Sequence, residues 1–154
     1  LNNLSLRLGD AGDNPAALEA CREAVGIYRT LAEKEPARFR PDLAASLNNL
    51  SIRLSDAGDN PAALEASREA VGIYRDLARK EPARFRPDLA RSLASRGLIL
   101  LTGGDRAAAA ESFREGMEIM RPFAEQYPGT PIERLFKALQ QFYEFTSASP
   151  EPAD

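Results

Sequence analysis

LNNLSIRLSDAGDNPAALEASREAVGIYRDLARKEPARFRPDLARS, residues 47–92, repeats the 46 residues that precede it with only six substitutions. Leu1 and Gly12, for example, recur as Leu47 and Gly58. Self-similarity at a period of roughly 20 to 50 residues is typical of a solenoid, in which each unit buries its apolar face by stacking on its neighbours. The sequence therefore predicts a stack of repeated units.

A third and weaker copy follows at the same spacing, and its recurring positions include Leu93, Leu100, Gly104, Asp105, Ala109 and Leu135. Thr130 and Glu133 then have the T-x-x-E spacing of a capping box, which marks the start of a last helix. The departure of this region from the repeat pattern is typical of a terminal cap, because one side of a terminal repeat faces water. The predicted organisation is three repeats at 1–46, 47–92 and 93–130, a capping helix at 131–146, and a disordered tail or linker at 147–154.

Each repeat is predicted to be a hairpin of two antiparallel helices. In the complete copy the first helix is expected from about Pro41 to Ala57, with Leu43, Leu47, Leu50 and Leu54 forming one buried apolar stripe. Gly58 is expected to end this helix, and Asp59 or Asn60 to cap the next one, which runs from about Pro61 to Lys80.

Prolines mark the junctions between repeats. Pro82 and Pro87 flank Phe85 in the segment EPARFRPD, where the chain is expected to leave one helix and begin another. Phe85 is interpreted as a plug between layers, with recognition of a ligand as the alternative. In the third copy Pro122 falls inside the second helix and is expected to kink or end it.

Composition excludes several classes of function. Histidine is absent, which excludes Ser-His, Cys-His and histidine–metal chemistry, so no catalytic residue, metal ligand or cofactor is predicted. The formal charge of −3 argues against nucleic acid as a partner, and no apolar run approaches the roughly 18 residues of a membrane span. The single Cys21 is replaced by Ser67 in the next copy, which favours a reducing compartment and hence the cytoplasm. Because the chain begins at Leu1, inside a repeat, we expect it to belong to a longer protein whose targeting these residues do not define.

The helix pair resembles the tetratricopeptide repeat. The residues that carry the resemblance in the complete copy are Leu50, Ser51, Leu54, Gly58, Asp59, Ala63, Ser67 and Ala70. The longer unit of 46 residues is similar to the extended repeats of kinesin light chains and of sensor regions in bacterial signalling ATPases. The resemblance implies an all-α, right-handed α-solenoid of three helix hairpins plus a C-terminal capping helix. It also implies a concave groove, lined by the first helix of each repeat, that binds a peptide or protein segment.

Candidate groove residues lie on the first helices, away from the leucine stripe. They are Asn2, Asn3, Arg7, Asn48, Asn49, Ile52, Arg53, Asp56, Arg91 and Ser95. An asparagine amide can donate to and accept from a peptide backbone at once, and an arginine can attract an acidic side chain or a terminal carboxylate. The alternatives are that the asparagines bond within the protein and that the arginines form solvated surface pairs.

Two classes of function therefore remain open. The first is a protein-interaction module within a larger bacterial signalling or scaffolding protein. The second is a structural spacer or self-assembly element without a peptide ligand, associating through an open stacking face at Leu1, Leu4 and Leu8. A catalytic role is the least favoured class.

Overall fold

The computed structural model describes residues 14–148, and in this part of the chain it contains six α-helices and no strand. The helices are α1 (Asn14–Lys34), α2 (Pro36–Asp56), α3 (Asn60–Lys80), α4 (Pro82–Thr102), α5 (Arg106–Gln126) and α6 (Pro131–Ser147). The all-α fold is confirmed, with the adjacent-helix packing of an α-solenoid of repeats. None of these helices is long and apolar enough to cross a membrane.

The turn inside each repeat is made by a glycine followed by a capping aspartate. Gly58 has φ +83°, the left-handed conformation that ends a helix at little steric cost. Asp59 Oδ1 then accepts a hydrogen bond from the Ala62 amide at 3.2 Å, which satisfies one of the free donors at the start of α3. Gly104 and Asp105 repeat the arrangement before α5. The predicted turn is confirmed, and Asp59 is the cap.

The junction between repeats is much shorter than predicted. Glu35, with φ −132° and ψ 72°, is the one non-helical residue between α1 and α2. Pro36 forces this break, because its ring disfavours a helical conformation in the residue before it and because it lacks the amide hydrogen that would continue α1. The first helix of the complete repeat therefore begins at Pro36, and the prediction that it begins near Pro41 was wrong.

Pro41 lies inside α2 because it removes only one helical hydrogen bond close to the start of the helix. The carbonyl that loses its partner belongs to Ala37, an exposed residue, so water can replace the missing donor. Pro122 likewise lies inside α5, and this helix continues to Gln126. Of the two expected outcomes, a kink or the end of the helix at Pro122, the second was wrong.

The structure divides into two compact units, residues 1–85 and 86–154. In the described part of the first unit, α2 packs against α1 and α3. Leu43, Leu47 and Leu54 of the predicted stripe are buried on α2, with Leu47 only 2% exposed. Leu50 is half-buried, so its assignment to the core was wrong. Phe85, at the end of this unit, is buried beneath the guanidinium of Arg84, which lies 4.7 Å from the ring centre.

In the second unit a glycine makes room for a large side chain. Gly97 of α4 lies so close to Phe113 of α5 that a Cβ atom at position 97 would meet the ring at 2.5 Å. The corresponding residues of the preceding repeat are Ser51 and Ser67, two small side chains. Phe113 is fully buried and stacks on Phe142 of α6, with ring centres 5.1 Å apart. The large residue therefore joins the last hairpin to its capping helix.

Both ends of α6 are held by side chains. At its start, Glu133 accepts a hydrogen bond from the Gly129 amide at 2.6 Å, whereas the Thr130 hydroxyl donates to the Tyr127 carbonyl. The predicted capping box is therefore not formed, because Thr130, the N-cap residue, caps no amide of α6 and Glu133 binds the amide of Gly129 instead of that of Thr130. At the other end, the Arg106 guanidinium donates to the carbonyls of Phe145, Thr146 and Ala148. Arginine satisfies acceptors that the helix leaves without partners.

Leu47→Ala should lower the free energy of unfolding by about 2 to 5 kcal/mol, because it removes a fully buried side chain and leaves a cavity. Leu50→Ala should cost clearly less, because Leu50 already contacts water. Urea denaturation followed by circular dichroism measures both. Equal losses for the two variants would contradict this assignment of the core.

Stability should also depend on pH through Glu133. The hydrogen bond from Lys137, and then the one from the Gly129 amide, lower the pKa of Glu133 below its ordinary value of 4.5. In the folded state this carboxyl therefore binds its proton only at lower pH, so its stabilising contribution is present above pH 4.5 and is lost as the pH falls through the lowered pKa. Glu133→Gln should be less stable than the parent chain near neutral pH, and the difference should shrink on acidification. A difference that stays constant with pH would contradict this role.

Candidate functional site

The face of α2 that points away from its buried leucines carries four of the predicted groove residues. Asn49, Ile52, Arg53 and Asp56 are spaced i, i+3, i+4 and i+7, so they share one side of the helix. The first three are half-buried and Asp56 is exposed. The structure therefore brings these four side chains together.

The two asparagines of α2 differ in their surroundings. Asn48 is engaged in an interaction within the protein, and its main-chain carbonyl accepts a hydrogen bond from the Ser51 hydroxyl at 2.7 Å. Asn49 is half-buried, and its side-chain amide has no hydrogen-bond partner among residues 14–148. A primary amide offers two donors and an acceptor. In the described structure, the half-buried Asn49 thus keeps its hydrogen-bonding groups available.

The candidate arginines are neutralised within their own helices. Arg53, whose side chain is 15% exposed, lies 3.3 Å from Asp56, and Arg91 of α4 lies 2.9 Å from Asp88. Both pairs are spaced i, i+3, at which oppositely charged side chains meet on a helix surface. Arg91 thus forms an exposed surface pair, whereas Arg53 forms its pair at a half-buried position.

On α4, in the second unit, Ser95 is half-buried and Arg91 is exposed. The same helix carries a residue that the sequence interpretation missed. Leu98 is 42% exposed, which is unusual for a large apolar side chain, and it follows Ile52 by 46 residues. The signal was present in the repeat, because Leu6, Ile52 and Leu98 occupy one position in three successive copies. The first helices of the second and third repeats thus each carry an aliphatic side chain outside the core.

Part of the predicted site lies outside the described residues. These positions are Asn2, Asn3 and Arg7, together with the proposed stacking face at Leu1, Leu4 and Leu8.

No cluster of three or more metal-ligating side chains occurs between residues 14 and 148. Cys21 is fully buried on α1, where the same position in the next repeat holds Ser67. A thiol that is inaccessible to a substrate packs as a small apolar residue.

Comparison with known protein families supports the assignment that the helix pairs suggest. A family model described as a tetratricopeptide repeat matches residues 1–36 and 43–78. These segments include α1, most of α2 and most of α3. No curated protein matches the chain.

Asn49→Ala should change the free energy of unfolding by less than about 0.5 kcal/mol, because no hydrogen bond within the described structure is lost. Asp59→Ala is the matched comparison and should cost about 1 kcal/mol, because it removes the N-terminal cap of α3. Urea titration of both variants tests this difference. A loss at Asn49 as large as the loss at Asp59 would show that the amide stabilises the fold.

Proposed function

Because this chain belongs to the tetratricopeptide-repeat family, whose members generally act as protein–protein interaction modules, we propose that it binds a peptide segment of a partner protein on the first helices of its repeats. The observation that carries the proposal is the available amide of Asn49 on α2. Asparagines at this position, Asn3 and Asn49, recur in successive copies.

The surroundings of Asn49 favour recognition of a peptide backbone. Its amide can donate to a backbone carbonyl and accept from a backbone amide, which holds a segment without selecting its side chains. Ile52, one turn along the helix, supplies an apolar surface against which an aliphatic side chain of the ligand can pack. Hydrogen bonds gain strength in such a partly desolvated place.

Charge has a minor part in this proposal. Arg53 and Arg91 are already paired with Asp56 and Asp88, so a carboxylate of the ligand would have to compete with an aspartate of the same helix. Attraction between exposed charges is screened by salt. We therefore expect the interaction to depend only weakly on ionic strength.

The proposal also includes a non-catalytic role, a larger parent protein and a cytoplasmic location. The family is a non-catalytic repeat scaffold, and this chain is proposed to act by binding, without a cofactor. The resemblance to extended repeats of signalling proteins supports a place in a larger bacterial signalling or scaffolding protein. A cytoplasmic location is supported by the replacement of Cys21 by Ser67 in the next copy, which leaves no recurring cysteine framework.

The test is capture of partners from host lysate by the parent chain, by Asn49→Ala and by a control, Arg68→Ala, with mass spectrometry of the retained proteins. Arg68 is exposed on α3, and among residues 14–148 it is paired only with Glu65 of the same helix. We expect Asn49→Ala to reduce retention of a partner by about tenfold, the effect of losing a pair of hydrogen bonds, and Arg68→Ala to retain it fully.

Raising the salt concentration threefold should change the retention by less than about twofold. Equal retention by the parent chain and by Asn49→Ala would contradict the proposal, as would a partner that Arg68→Ala loses.

A further inference from the structure

Three aliphatic side chains of α4 share one side of the helix. Ala94, Leu98 and Leu101 are spaced i, i+4 and i+7, which places them in line along the helix surface. Leu98 is 42% exposed, and the other two are half-buried. Described helices precede and follow α4 in the chain. Together these three side chains form the α4 stripe.

The repeat shows that the fold does not require the α4 stripe. The residues of α2 at the same repeat positions are Asn48, Ile52 and Ser55. Asn48 and Ser55 are half-buried, as Ala94 and Leu101 are. Two polar side chains of α2 therefore have the same class of burial as their aliphatic counterparts in α4. Packing of the helices thus tolerates either kind of residue and does not account for the apolar character of the α4 stripe.

The central position of the stripe is aliphatic in every copy of the repeat. Leu6, Ile52 and Leu98 follow one another at intervals of 46 residues. The third copy differs from the second on both sides of this position, where Gly97 replaces Ser51 and Ile99 replaces Arg53. An exposed aliphatic side chain contributes little to folding, because it remains in contact with water. Contact with a ligand is a use for such a side chain that the fold itself does not supply.

The polar groups on this side of α4 are already engaged. Arg91 lies on the same side as Leu98 and is paired with Asp88 at 2.9 Å. The Thr102 hydroxyl donates a hydrogen bond to the Leu98 carbonyl at 3.0 Å. Arg96 is two residues from Leu98, about 200° around the helix, so it lies on the other side. The stripe thus offers an apolar surface to a ligand side chain and no unpaired charge of α4.

The size of the α4 stripe suits a peptide side chain better than a folded partner. The helix rises by about 10 Å from Ala94 to Leu101. Each partner of a stable protein–protein interface buries about 800 Å², which is far more than three aliphatic side chains can cover. The occupant that fits is therefore an aliphatic side chain of a peptide segment.

We propose that the α4 stripe selects the ligand by binding one aliphatic side chain, of leucine, isoleucine, valine or methionine, in the partner segment, a role that rests on the proposed function of peptide binding. The two first helices then have different tasks. The Asn49 amide of α2 holds the main chain of a segment without selecting its sequence, whereas the α4 stripe requires an aliphatic residue. Leu98 is the specificity-determining residue.

Selection from a phage-displayed library of short random peptides tests the proposal, with the whole chain as bait. The retained peptides should share an aliphatic residue at one position. One of them is synthesised with that residue and with alanine in its place, and dissociation constants are measured by fluorescence anisotropy. Alanine in the peptide should weaken binding to the parent chain about tenfold, because buried apolar contact is lost. Leu98→Ser should weaken binding of the original peptide to a similar extent and should bind both peptides almost equally, because the two residues are coupled.

Two further variants serve as controls. Leu98→Ile introduces the residue that the second copy holds at this position, and it should bind as the parent chain does. Ile27→Ser removes an aliphatic side chain that is 41% exposed on α1, outside the α4 stripe, and it should also leave binding unchanged.

The proposal is overturned if the retained peptides share no aliphatic residue or if Leu98→Ser binds as the parent chain does. It is also overturned if alanine in the peptide weakens binding to Leu98→Ser as much as to the parent chain. Weaker binding by Asn49→Ala together with unchanged binding by Leu98→Ser would overturn the role of the α4 stripe alone and leave peptide binding in place. A library from which no peptide is retained would overturn both.

Discussion

Close approach of the helices is the constraint on which the rest of the structure depends. Ala17 and Ala24 on α1 and Ala63 and Ala70 on α3 have no exposed surface at all, and the position between each pair is held by Cys21 or Ser67, which are equally buried. Small side chains let helix axes come together, so that each hairpin can bury its apolar side against its neighbour. The 46-residue period repeats this contact. In the last hairpin the large Phe113 replaces the small residue, and Gly97 supplies the space that it needs.

The repeat made most of the architecture predictable. The Gly58 turn, the Asp59 cap and the helix that follows could be read directly, because each depends on a local conformation that few residues adopt. The start of the preceding helix could not be predicted in this way. Pro36 and Pro41 are both acceptable near a helix start. The sequence alone does not show that the helices are separated at Pro36, or that Pro41 can lie inside the helix because the Ala37 carbonyl is exposed to water. Leu50 was wrongly assigned to the core because the spacing of the leucines does not show which of them the neighbouring helices bury.

The candidate site was predictable as a helix face but less so in its details. The repeat pointed to Asn49, and the structure shows that its amide has no partner in the described chain. The i, i+3 spacing allows Arg53 and Asp56 to pair. Whether they do depends on their side-chain rotamers, which the sequence does not show. Leu98 was overlooked because the repeat position of Leu6 and Ile52 was not followed into the third copy, whose sequence around it differs. The charges of Arg53 and Asp56 on this face therefore balance each other.

The central claim is that the α2 face around Asn49 contacts a partner protein. Site-specific photo-cross-linking tests it most directly, with a benzophenone attached to Asn49→Cys or, as a control, to Arg68→Cys. Both variants are made with Cys21→Ser, a change for which Ser67 in the next repeat is the natural precedent. The account predicts a cross-linked partner from position 49 and none from position 68. Cross-linking from position 68 alone, or from neither position, would contradict it.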